Sequence, residues 1–118
     1  MDNLERSNIA GVRNSLSKLG ALVAEIDRQL RYVWIDNPPP DFDADGIVGK
    51  RDDELIPKAD AEQIMSLKRE VFDHEISISR ILSFNQSDGC RYYSLFAYPI
   101  RNSKGKVDGI LTVGFEVP

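Results

Sequence analysis

The 118-residue sequence predicts an α+β domain, a five-stranded antiparallel sheet with helices on one face and an amphipathic helix at the N-terminus. Three observations predict it. An apolar period of three and four residues gives way to alternation at Gly20. The run NPPP at 37–40 ends any regular element. After His74 the period is two for the rest of the chain, broken only by turn-forming residues.

Along DNLERSNIAGVRNSLSKLG, Ile9, Val12, Leu16 and Leu19 recur at helical spacing among charged and small polar residues. Asp2 followed by Glu5 makes a capping-box-like start, and Gly20 is a natural stop. Val23 and Ile26 would extend the helical period. The glycine and the alternation of Leu22, Ala24 and Ile26 decide for a strand instead. ALVAEIDRQLRYVWID then reads as two strands around a turn at Asp27 to Gln29. Beyond NPPP a short helix is expected in RDDELIP. A longer one runs through ADAEQIMSLKREVFD, where Ile64, Leu67 and Val71 lie beside Ala61, Met65 and Phe72 in one broad stripe. EISISRILSF, CRYYSLFAYPI and KVDGILTVGFEV are three strands, with turns at Ser87-Asp88-Gly89 and from Asn102 to Gly105. Strands following helices, rather than alternating with them, give the α+β class. The division is residues 1–20, a dimerisation or signal helix, and residues 21–118, the sheet domain.

Composition narrows the function classes. The chain is 42% hydrophobic and 29% charged with a formal net charge of −4, and it has no Lys/Arg cluster. Such a chain makes a poor surface for nucleic acid or for anionic membranes. A single cysteine, Cys90, excludes an intrachain disulfide framework and fits a reducing compartment. No apolar run reaches transmembrane length, and MDNLERSN lacks the basic and apolar regions of a signal peptide. The expectation is a cytoplasmic protein with no membrane insertion.

A family resemblance rests on particular stretches. IDRQLRYVWIDNP supplies strand, turn and strand, IVGKRDDELIP ends the irregular loop, and FDHE ends the long helix where many relatives have Gly-Glu. YYSLFAYPIRNSKGKVDGILTVGFEV is the most specific: an aromatic strand ending in Pro-Ile-Arg, a glycine turn, then Gly-Ile-Leu and a last strand. From about Leu22 to Val117 the chain resembles a PAS sensor domain. WIDNP and Gly-Lys-Arg-Asp look most like PAS domains upstream of bacterial histidine kinases of the HWE group. The usual terminal Asp-Ile-Thr reads Glu116-Val117-Pro118 here, a departure at the cap that joins the last strand to an output helix. The resemblance implies a sensory module without catalysis, working with a fused or partner histidine kinase.

Against that background the candidate sites can be weighed. DFDADGIVGKRD spells an EF-hand calcium loop with Asp41, Asp43, Asp45 and Asp52 as ligands. Its twelfth position is the short Asp52, and a strand and three prolines replace the entering helix, so coincidence is the expectation and calcium binding the alternative. Asp52 and Asp53, adjacent, read as a solvated turn rather than a carboxylate dyad. His74, the one histidine, sits at a helix C-terminus and has no partner for a metal site. By the resemblance, a haem ligand would lie in the long helix and a flavin-reactive cysteine before it. Neither residue is present, so no haem and no flavin are expected. No phosphate loop or nucleophile set occurs.

Pleating places Tyr93, Leu95, Ala97 and Pro99 on one face of the fourth strand and Tyr92, Ser94, Phe96 and Tyr98 on the other. The resemblance turns the first set, with Ile110, Thr112 and Gly114, toward the helices and a cavity for at most a small apolar ligand. The second set, with Leu111, Val113 and Phe115, makes an outer face too apolar for water. Its cover is expected from the N-terminal helix. The chain is read as a homodimer with an interface of Ile9, Val12, Leu16, Leu19, Tyr92, Phe96, Tyr98 and Phe115. A purely structural dimerisation domain is the remaining alternative.

Overall fold

A computed structural model describes residues 4–40, 42 and 46–118, without the side chains of residues 4–7 and 86. The elements are α1 (Leu4–Lys18), β1 (Leu22–Asp27), β2 (Tyr32–Asp36), α2 (Lys58–His74), β3 (Ile78–Gln86), β4 (Gly89–Arg101) and β5 (Val107–Val117). The five strands pair antiparallel in the order β2-β1-β5-β4-β3. The chain lays an outer hairpin at each edge and brings its last strand to the centre.

Local chemistry explains the boundaries. At the end of α1, Gly20 has φ 86°; its N–H donates to the Ser17 carbonyl and that of Ala21 to the Leu16 carbonyl. This paired closure needs a left-handed residue, which glycine supplies without strain. The Asp2 cap lies outside the described residues. In the β1–β2 turn the Asp27 carboxylate accepts the N–H groups of Gln29 and Arg31, letting Leu30 take φ 65°. The helix expected in RDDELIP is only one 3₁₀ turn, Asp52–Glu54. Gly49 and Pro57 bracket it too closely for more.

Two apolar layers share the sheet. α2 packs on the inner face, burying Ala61, Ile64, Met65, Leu67 and Val71 against Ala24, Ile26, Leu95, Ala97 and Ile110. On the outer face Ile9 and Leu16 of α1 meet Val23, Leu111 and Val113. Leu19 lies beyond the helix end and is 75% exposed, so it takes no part in this layer.

Candidate functional site

The inner face encloses a cavity of about 30 Å³, room for one or two waters. Of the residues the sequence assigns to it, Tyr93, Leu95 and Thr112 line the wall. Ala97 and Ile110 are buried in the core but do not line it. Gly114 is absent from the wall for a packing reason: Leu95 Cδ2 lies 2.6 Å from where a Cβ on Gly114 would sit. Leu95 and Leu22 flank this glycine on neighbouring strands, so Leu95 fills the recess.

The helix and loop side of the wall comes from Tyr32, Phe42, Ile64, Leu67 and Lys68. None of these five was among the residues expected to line it, and two of them, Tyr32 and Lys68, form the polar feature of the interior. Tyr32 Oη donates to Asp52 Oδ1 at 2.6 Å, and Lys68 Nζ donates to Asp52 Oδ2 at 2.7 Å. Lys68 Nζ also reaches Tyr32 Oη at 3.3 Å and stands 4.3 Å from the centre of its ring. Lys68 and Asp52 are 1% and 0% exposed. Expecting Asp52 on a solvated turn is thus incorrect. The backbone explains why: Tyr32 donates its N–H to the Lys50 carbonyl and accepts from Gly49, which fastens 48–51 along β2 and turns the next side chain inward. Burial, and then the adjacent Asp52 charge, push the Tyr32 phenol well above its ordinary pKa of 10.0, so it stays a neutral donor.

The position-twelve acid of the calcium spelling therefore has both oxygens committed to protein donors. Asp41, Asp43 and Asp45 lie outside the described residues. Among the described residues no three His, Cys, Asp or Glu side chains gather at one point. His74 is the exposed last residue of α2, and Cys90 is an exposed thiol at the start of β4.

On the outer face a polar clasp fixes α1. Arg13 Nε and Nη2 donate to the two oxygens of Asp36 at 2.7 and 2.8 Å, and Ser17 Oγ donates to Asp36 at 2.6 Å. The Arg13 guanidinium lies 3.8 Å from the centre of the Trp34 ring, whose Nε1 donates to Glu25. Asn37 Nδ2 donates to the carbonyls of Ser17 and Ala21, closing the end of α1. Hydrogen bonds from Arg13 hold the Asp36 carboxyl below its ordinary value of 3.8. The WID-N stretch is thus the docking station of α1.

α1 covers only part of this face. A groove remains between Val12 and Leu16 of α1 and Phe96 and Tyr98 of β4. Val12, Phe96, Tyr98, Tyr92 and Phe115 are 38–52% exposed. Among the described residues no helix is long and apolar enough to cross a membrane.

The sequence model described as PAS fold matches residues 16–117. A histidine kinase of Arabidopsis thaliana, Histidine kinase 5, is 29% identical over 92 residues, 77% of this chain and 10% of that protein. The chain spans about a tenth of that relative. The sensory box sensor histidine kinase of Vibrio cholerae shares the fold with a TM-score of 0.65 at 20% identity, covering 96% of this chain and 97% of that one. VqmA of Vibrio cholerae, solved bound to DPO, has a TM-score of 0.74 at 19% identity, covering 98% of this chain and 58% of that one.

Proposed function

The chain belongs to the PAS family, and from that premise we propose that it is the sensory and dimerisation module of a cytoplasmic two-component histidine kinase, without catalysis of its own. It senses a small ligand on the inner face and passes the state to flanking helices. One observation carries this reading: β1 and β5 serve both layers. Leu22 and Thr112 line the cavity while their neighbours Val23, Leu111 and Val113 touch α1. A shift that repacks one face of these strands bears on the other, as a two-state element requires. The kinase relative and VqmA, solved bound to DPO, support the same reading.

Gly114→Ala tests it. The new methyl meets Leu95 and drives it into the cavity, filling the inner face from within. Hydrogen exchange of the α1 amides should then change although the substitution is on the opposite face. Unchanged α1 protection would show the two layers uncoupled and defeat the sensor reading.

The second part of the proposal is a homodimer. Its interface is the uncovered outer face, with Val12, Phe96, Tyr98 and Phe115 against a second copy and the partner's α1 in the groove. An exposed apolar patch of this kind is a contact surface, and a two-fold axis uses it twice. Light scattering at high micromolar concentration should give twice the chain mass, and Val12→Asp with Phe96→Asp should halve it without unfolding. A monomeric parent protein rules the dimer out. Calcium is not expected to bind tighter than about 10⁻⁵ M by isothermal titration, since Asp52 is held by Tyr32 and Lys68.

A further inference from the structure

The two edges of the sheet are finished differently. At the β2 edge the 48–51 segment lies along Tyr32, and the prolines at 38–40 follow the strand. Among the described residues no chain segment pairs along the β3 edge. That strand is nine residues long, its register with β4 is unbroken from Ile78 to Gln86, and ISRILSFNQ contains neither proline nor lysine. Its one charged side chain, Arg80, is turned to Glu70 of α2 at 2.6 and 2.7 Å. Ile81 stands 65% exposed. A long, regular, apolar edge is where another strand adds unless something blocks it.

The block comes from α2. Gln63 Nε2 donates to the Ser83 carbonyl at 3.1 Å, and the Asn85 N–H donates to Asp60 Oδ2 at 3.0 Å. Backbone groups that reach α2 point away from β4. Alternation then puts the N–H and carbonyl of Ser79 and Ile81 on the same open side. The occupant that fits is a second copy of β3, antiparallel about a two-fold axis at Ile81. That register sets Ile81 against Ile81, Ser79 against Ser83, Arg80 against Leu82 and Ile78 against Phe84, so no like charges oppose. In it the Ser79 N–H would donate to the Ser83 carbonyl, the group that Gln63 holds. The Asn85 N–H, next along the same row, is held by Asp60.

We propose that the β3 edge is a pairing surface for a second copy of this chain, and that Gln63 and Asp60 of α2 hold it closed. The contact is autoinhibitory and needs no ligand, so it goes beyond the sensor reading and is independent of the outer-face dimer. Gln63→Ala with Asp60→Ala on the full chain tests it, by light scattering and by amide exchange of Ser79 and Ile81 from low to high micromolar concentration. Each copy regains an acceptor and a donor, and the two-fold counts them twice, so association should tighten about tenfold or more. The mass should double over that range, and the Ser79 and Ile81 amides should slow with concentration, which contact through the outer face would not cause. Ile81→Lys sets like charges opposite at the axis and should undo both changes. Should the pair of substitutions unfold the domain, Gln63→Ala alone, at a half-buried position, gives the same reading with a smaller shift. A folded variant whose mass and edge amides do not change with the guards removed overturns the proposal. So does association that survives Ile81→Lys, which would place the contact elsewhere. A parent chain whose edge amides already slow with concentration would leave the guards no role and overturn it too.

Discussion

Tyr93, Leu95 and Ala97 alternate along β4 with Tyr92, Phe96 and Tyr98, two sets without a charged residue in either. The first set is at most 7% exposed, the second 38–52%. Nothing in the strand itself separates them; the layers above do. The inner layer is a 17-residue helix bound across a buried ion pair, over a cavity of about 30 Å³. The outer layer is a 15-residue helix held by Arg13 and Asp36, whose side chains are 38% and 23% exposed. An amphipathic helix of that length is marginal alone. From burial and helix length, α2 is expected to unfold only with the domain and α1 to open before it. That asymmetry suits a module whose inner face detects and whose outer face reports.

The largest effect expected is on the inner layer. Lys68→Met strands the Asp52 carboxylate at 0% exposure, and breaking a buried pair from one side costs about 3–5 kcal/mol. Urea unfolding should show that loss, and adding Asp52→Asn should recover most of it. A single variant as stable as the parent would mean that Asp52 finds water, and that the inner layer is as open as the outer.

Much of this architecture was legible. Alternation in CRYYSLFAYPI gives the inner and outer sets of β4, and the Ile64, Leu67, Val71 stripe gives the buried face of α2. The Asp52–Lys68 pair was not, because its members lie 16 residues apart on a loop and a helix. A signal was present: Lys68 sits inside the apolar stripe, where a lysine needs a buried partner. Its partner became visible only when the 48–51 segment paired with β2. The cavity wall was half-read for a related reason. Strand periodicity supplied Tyr93, Leu95 and Thr112, but Tyr32, Phe42 and Lys68 come from elements whose approach only the tertiary structure fixes.

A smaller and more local effect is expected outside. Arg13→Ala removes the clasp, and a partly exposed ion pair is worth about 1 kcal/mol or less. Hydrogen exchange should accelerate in α1 while the urea midpoint of the sheet barely moves. The pH dependence has a definite sign. Asp36 titrates lower when folded than its ordinary 3.8, so its contribution is complete above that pH. It is lost as pH falls through the lower native value. Arg13 keeps its charge throughout, its own pKa being raised by Asp36. α1 protection should therefore drop only in acid, and Arg13→Ala should lack that step. An α1 that loses protection near neutral pH would point to another group.

The smallest effect returns to the inner layer and tests whether gains there stay global. α2 closes on Glu75, whose φ of 56° and ψ of 38° are left-handed and whose N–H donates to the Val71 carbonyl. A side chain in that conformation costs about 1–2 kcal/mol, and glycine avoids it. Glycine also gives the unfolded chain more freedom, about 0.4–1 kcal/mol against folding. Glu75 pairs with Arg101 at 3.0 Å across an exposed surface, so replacing it loses a second small contribution. Comparing Glu75→Gly with Glu75→Ala cancels that loss, since neither keeps the carboxylate. Glu75→Gly should be about 0.5–1 kcal/mol the more stable of the two. Because α2 unfolds with the domain, the difference should appear in the urea midpoint and leave the relative protection of α1 unchanged. Equal stability of the two variants would remove the left-handed closure of α2. A gain confined to the end of α2, with no shift in the midpoint, would mean that the inner layer also opens piecemeal, and the contrast between the faces would fall with it.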